Sequence, residues 1–178
     1  MKAIMQRYFE SYLLKWSDWN GTHPQVPFNV EIDKRLYIGE KDEDDYIFWK
    51  PKEKDEYDNF QEFEKELNAN LHSDIKEYYN SYWFLEMIGW IDNYNISLFP
   101  VTPGVEPFLF IERVQDYLFL RQGDEIYIPI GFESSGMLIL MNNRTGEIVI
   151  EDFETEEYRH LSASLKVLIS RLSFRSIW

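Results

Sequence analysis

The sequence contains no cysteine. Disulfides, thiolate metal ligands and cysteine nucleophiles are therefore excluded, and the composition suits a reducing compartment. No window approaches the roughly 20 apolar residues that a membrane-spanning helix needs. The N-terminus mixes charged and aromatic residues, whereas a secretory signal has an unbroken apolar core. We therefore expect a cytoplasmic protein that does not insert directly into a membrane.

Basic residues are also few. The chain has 18 lysines and arginines against 32 aspartates and glutamates, a net charge of −14. Such a field repels nucleic acids and anionic membranes, so neither is predicted as a partner. The charge is uneven, because residues 40–66 hold twelve carboxylates and five lysines, which is half of the net charge. Residues 151–157 add five acids and no base, and only basic charges follow them.

The acidic run at residues 40–58 has two interpretations: a solvated loop, or a surface that attracts a basic protein. Aromatic residues among the acids favour the second, since charge steers a partner and rings anchor it. The predicted partner contacts are Asp42, Glu43, Asp44, Asp45, Tyr46, Trp49, Asp55, Glu56 and Tyr57, with Glu151, Asp152 and Glu154 as a second patch.

No catalytic or cofactor motif is present. The three histidines are far apart in sequence, and His72 and Asp74 would point in different directions on a helix, so no metal site is predicted. The stretch 131–136 lacks the spacing of a nucleophile elbow and is typical of a hairpin loop. A small carboxylate-dependent hydrolase stays open only as a third possibility, because it needs two acids facing each other in an apolar pocket.

The polar stretch 142–147 lies between two apolar runs. A phosphate-binding loop needs several glycines before a helix, whereas this stretch has one glycine and a predicted strand after it. We therefore expect a hairpin turn in which Gly146 supplies a positive φ angle.

Periodicity predicts one α+β domain over residues 1–178, a mainly antiparallel sheet flanked by helices. Helices are expected at 3–19, at 58–78 and from Pro107 to about Arg121, where Gln122-Gly123 ends the helix; a final helix carries Leu161, Leu165, Leu168 and Leu172 on one face. Residues 23–27 are expected to be an extended linker, and strands to lie near 35–38, 46–49, 83–91, 95–99, 126–131, 137–141 and 148–150.

Several segments together resemble the Syd family of SecY-interacting proteins, part of the SUKH superfamily. They are YIFWKP (46–51), FQEFEKELNANLHSDIKEYYNSYWF (60–84), NISLFPV (95–101), FIERVQDYLFLRQ (110–122), MLILMNNRTGEIV (137–149) and RHLSASLKVLISRL (159–172). The order of these segments, which covers nearly the whole chain, carries the resemblance. It implies an α+β fold and a non-catalytic protein binder that needs no cofactor.

The resemblance leaves two partners open. SUKH domains mostly serve as immunity proteins, so the first expectation is an immunity protein whose acidic face occludes a basic toxin. The alternative is a regulator at the cytoplasmic face of the membrane that binds the basic cytoplasmic loops of SecY. The first is preferred because the Gly-Asp expected in Syd proteins after the second helix is absent, and residues 83–87 read WFLEM instead.

Overall fold

A computed structural model of the chain describes residues 1–121, 123–152, 154–155 and 157–175. The helices are α1 (Lys2–Asn20), α2 (Gln61–Leu67), α3 (Ser73–Tyr79), α4 (Phe108–Leu120) and α5 (Leu165–Arg171), with a short 3-10 helix at Lys34–Leu36. The strands are β1 (Gln25–Pro27), β2 (Tyr37–Ile38), β3 (Tyr46–Trp49), β4 (Lys52–Glu53), β5 (Tyr82–Trp83), β6 (Met87–Ile91), β7 (Tyr94–Leu98), β8 (Tyr127–Glu133), β9 (Leu138–Asn142), β10 (Ile148–Asp152) and β11 (Glu157–Ser162).

The main sheet has six strands in the order β11-β10-β9-β8-β7-β6. Every neighbouring pair is antiparallel, and strands that are consecutive in the sequence lie side by side. Helix α4 lies between β7 and β8 in the sequence and packs against β8. This arrangement confirms the predicted α+β class and its mainly antiparallel sheet.

Helix α1 packs beside α5 and contributes aromatic side chains to the core. Tyr8, Phe9 and Tyr12 are buried at three- and four-residue spacing, the periodicity that places residues on one helix face. The Phe9 ring lies 5.2 Å from that of Phe84, and the Tyr8 hydroxyl donates a hydrogen bond of 2.7 Å to the Ile88 carbonyl. These contacts fix α1 against β6 and the segment that precedes it.

The prediction of one helix over residues 58–78 is wrong, because the structure has two shorter helices there, α2 and α3. Helix α2 ends at Leu67 because Asn68 adopts a left-handed conformation with φ 51°. Helix α3 begins after His72, whose Nδ1 accepts the backbone N–H of Asp74 at 3.2 Å. His72 is therefore a helix cap, and Asp74 pairs with Lys166 instead.

Other boundaries also differ from the prediction. Residues 25–27 form a strand where a linker was predicted, and Leu161 lies in β11 and does not belong to the last helix. The predicted strand at 83–91 is two strands, and residues 131–133 belong to β8, which leaves a shorter hairpin loop. Pro107, predicted as the first residue of α4, is its N-cap residue, one position before the helix begins. Gln122, predicted to help end the helix, lies outside the described residues.

The polar stretch 142–147 is a hairpin turn, as predicted. Gly146 has φ 79°, and its N–H donates to the Asn142 carbonyl at 2.8 Å. The turn also holds the α2–α3 connection: the Asn143 side chain accepts the His72 N–H and donates to the Asn70 carbonyl, both at 2.9 Å. A Cβ on Gly146 would come within 2.8 Å of the His72 ring, and the positive φ angle strains other residues, so glycine is favoured at this position.

Candidate protein-binding site

The acidic turn, residues 42–45, connects β2 to β3 and presents its acids to solvent. Asp42 orders it: one carboxylate oxygen accepts the N–H of Asp44 at 3.0 Å and the N–H of Tyr46 at 2.8 Å. Asp45 has φ 62°, forms an ion pair with Lys41 and accepts the Phe28 N–H through its carbonyl at 2.7 Å. The side chain of Asp42 therefore shapes the turn, while Glu43 and Asp44 point their charges outward.

A second group of acids surrounds Arg35 in the 3-10 helix. Its guanidinium lies 2.6 Å from Glu56 and 3.0 Å from Asp33. Hydrogen bonds from Arg35 hold the pKa of Asp33 below its usual value. Tyr57, beside this group, is 76% exposed.

Strand β3 separates the acidic turn from the Arg35 group. Tyr46 adjoins the turn, whereas Trp49 pairs with Tyr37, two residues after Arg35. Three strand steps of about 3.3 Å place Tyr46 roughly 10 Å from Trp49 along β3. Asp55, Glu43 and Asp44 make no ion pair within the described residues, so their charge is not neutralised locally.

A groove of about 490 Å³ opens beside the acidic turn, lined by Phe28, Lys34, Tyr37, Gly39, Glu40, Lys41 and Ile47. The Phe28 and Tyr37 rings are 5.5 Å apart, and the Lys41 amine lies 5.4 Å from the centre of the Phe28 ring. Sequence reasoning missed Phe28 and Tyr37, since neither lies within the acidic run. The groove is large enough to receive an apolar side chain of a bound peptide, and the adjacent residues of that peptide would then contact the acidic turn.

Two predicted contacts are not on the surface. Trp49 is completely buried, because alternation along β3 turns Ile47 and Trp49 inward and leaves Tyr46 44% exposed. Glu151 is also fully buried and lies 2.9 Å from the Arg121 guanidinium. Both residues are corrected to core positions, because reaching a partner would require the fold to open.

The second predicted patch is otherwise small. Asp152 is half-buried and accepts the backbone N–H groups of Glu154 and Thr155 at 3.1 and 3.3 Å, so it shapes a turn. Only Glu154 of the three is exposed. It follows strand β10 of the main sheet, whereas the acidic turn belongs to the small sheet β1-β3-β2.

The buried carboxylates in the described residues have separate partners. Glu106 lies 2.6 Å from Arg113, Glu133 accepts bonds from two serines, and Asp74 pairs with Lys166. Burial raises the pKa of Glu86, whose carboxylate accepts the Tyr12 hydroxyl at 2.9 Å. This arrangement does not supply the facing pair of acids that a carboxylate hydrolase needs.

Two structural absences hold for the part of the chain that the structure describes. No group of three or more histidine, aspartate or glutamate side chains is arranged to hold a metal ion. None of the helices combines the length and apolarity required to cross a membrane.

Comparison with known proteins gives one consistent family. The Syd protein (SUKH-2) family model matches residues 2–103, which include the acidic turn, Arg35 and the groove. A Protein Syd of Idiomarina loihiensis is 22% identical over 167 residues, covering 92% of this chain and 86% of the relative. Those of Shewanella putrefaciens and Pectobacterium atrosepticum are 26% and 23% identical, covering 98% and 96% of this chain and 81% and 94% of their own lengths. The resemblance found in the sequence is thus confirmed, and the chain belongs to the Syd family.

Proposed function

We propose that this protein is a non-catalytic binder of the basic cytoplasmic loops of SecY, acting at the cytoplasmic face of the membrane. The observation that carries the proposal is the exposed acidic turn beside an aromatic groove, within the residues that match the Syd model. Glu43, Asp44 and Asp55 attract the basic loop, and the groove and Tyr57 hold it by apolar contact.

The SecY partner is better supported than the immunity function preferred from the sequence. The matching model is that of Syd itself, and the relatives over nearly the whole chain are named Protein Syd. The missing Gly-Asp is only weak evidence against a SecY partner, because the segment in its place packs into the core of this protein. Phe84 and Met87 are completely buried, and Glu86 accepts the Tyr12 hydroxyl.

The test measures association with SecY from the same host, reconstituted in nanodiscs, at low and physiological salt. The variant Glu43→Gln/Asp44→Asn/Asp55→Asn removes three charges and spares Asp42, which orders the turn. We expect association about tenfold slower at low salt and a weaker salt dependence, because steering charges act mainly on the association rate. Thermal stability should stay unchanged, because these side chains are exposed.

A matched control removes three exposed acids elsewhere: Glu10→Gln/Asp18→Asn/Asp124→Asn. It changes the net charge equally, so it should slow association much less if location matters. If both variants slowed association equally, the slowing would result from overall charge, and the acidic turn would have no specific role in binding. Absence of any wild-type binding to SecY would overturn the proposed partner itself.

A further inference from the structure

Helix α4 exposes large apolar side chains opposite its core-facing side. Phe108 is 72% exposed and Phe119 is 81% exposed, and Leu120 at the helix end is 63% exposed. Eleven residues make about three turns, so the two phenylalanines lie along one line roughly 16 Å apart. The residues that α4 buries are Phe110, Val114 and Tyr117. Two phenylalanines this exposed on one helix face can each anchor a partner.

The surface between the two phenylalanines is acidic. Glu112 and Gln115 lie on the same line, and Gln115 donates to the Glu66 carboxylate of neighbouring helix α2 at 3.3 Å. Asp116 is exposed beside them. We call this set, from Phe108 to Phe119 with Glu66, the α4 stripe.

Among the residues that the structure describes, Glu66, Glu112 and Asp116 form no ion pair. Lys76 pairs with Glu64 at 2.9 Å, and Arg113 pairs with Glu106 at 2.6 Å. The stripe therefore combines two apolar anchors with unpaired negative charge. Its helical part, Phe108 to Phe119, lies beyond residue 103, outside the part of the chain that the Syd model matches, whereas Glu66 lies within that part.

We propose that the α4 stripe binds a basic amphipathic helix of another protein. A helix with large apolar residues about three turns apart and lysines or arginines between them complements both the rings and the acids. An anionic lipid surface would meet repulsion from Glu66, Glu112 and Asp116. If a second copy of the chain bound through the same stripe, the acids of the two copies would repel each other. This binding is independent of the acidic turn and of SecY.

The probe is a fluorescent peptide of about five helical turns, with leucines on one face and lysines on the other. A peptide of equal composition, scrambled so that the leucines do not share a face, is the control. By fluorescence anisotropy we expect the amphipathic peptide to bind at least about tenfold more tightly. Phe108→Ser/Phe119→Ser should weaken it about 30-fold, in the range of hot-spot residues.

Two charge variants separate this site from the acidic turn. Glu112→Gln/Asp116→Asn should reduce the salt dependence of peptide binding, and Glu43→Gln/Asp44→Asn, which removes the same number of charges, should reduce it much less. If the serine variant is unstable, Phe119→Ser alone tests the anchor, with an expected loss of about fivefold. Unchanged affinity in the folded phenylalanine variant, or equal binding of both peptides, would overturn the proposal.

Two further measurements test the other occupants. Self-association in sedimentation that disappears in Phe108→Ser/Phe119→Ser would assign the α4 stripe to a second copy of this chain. Flotation of the wild type, but not of this variant, with vesicles containing phosphatidylglycerol would assign it to a lipid surface. Either result would overturn the assignment to a basic helix.

Discussion

Replacement of Gly131 by alanine should separate β7 from β8. A Cβ at this position would lie 2.9 Å from the Leu98 Cα and 3.1 Å from the Ser97 carbonyl carbon, and closer still to the Ser97 oxygen. Ordinary carbon contacts begin near 3.5 Å, and all three atoms are backbone, so the strands must move apart by on the order of 1 Å. That movement strains the Leu98–Gly131 and Ser97–Phe132 register pairs.

We expect Gly131→Ala to lower the free energy of unfolding by about 3 kcal/mol, at the upper end of the range for overpacking. For a chain of this length the melting temperature should fall by roughly 6–12 °C. Urea unfolding followed by tryptophan fluorescence and calorimetry measures both quantities. The control is Gly123→Ala, since a Cβ there meets nothing within 4 Å. The reasoning is refuted if Gly131→Ala is as stable as the control within about 0.5 kcal/mol.

Two other substitutions test the interior. Asn143→Ala removes the bonds to the backbone of His72 and Asn70, and should cost about 2 kcal/mol in urea unfolding; a loss below about 0.5 kcal/mol would mean that the turn does not hold the loop. Glu86 has a raised pKa, so the folded state binds more protons than the unfolded state above the ordinary pKa, and stability falls as pH rises through that window. Glu86→Gln retains an acceptor for Tyr12 and does not titrate. Its free energy of unfolding relative to wild type should therefore be higher at a pH of about 7 than at a pH of about 4. An identical difference at both pH values would exclude this linkage.

Local patterns predicted the hairpins and the ends of α1 well. They failed where the same apolar spacing fits either one long helix or two shorter helices. Leu67, Leu71 and Ile75 continue a helical stripe across the break at Asn68, so periodicity alone cannot separate α2 from α3. Strand β11 was missed because residues 157–160 are polar and exposed, which removes the alternation that marks a half-buried strand.

For one of the two buried residues predicted as partner contacts, the sequence contained a pattern that indicates burial. Period-two alternation in YIFW distinguishes Tyr46 from Trp49, and it could have excluded Trp49 as a contact. Glu151 offered no such signal, because its partner Arg121 comes from the end of a distant helix. Asp42 is exposed as predicted, but its hydrogen bonds within the turn depend on backbone geometry that composition does not encode.

The extent of the family match and the extent of the folding unit are different. A fragment ending at residue 103 would have β7 without its neighbour β8, and it would lose Phe110, whose ring lies 4.3 Å from that of Tyr79. It would also lack Asn143, which secures the connection between α2 and α3. Expressing the acidic turn without the residues after 103 would therefore remove side chains, such as Phe110 and Ile128, that share one apolar core with Trp49 of β3.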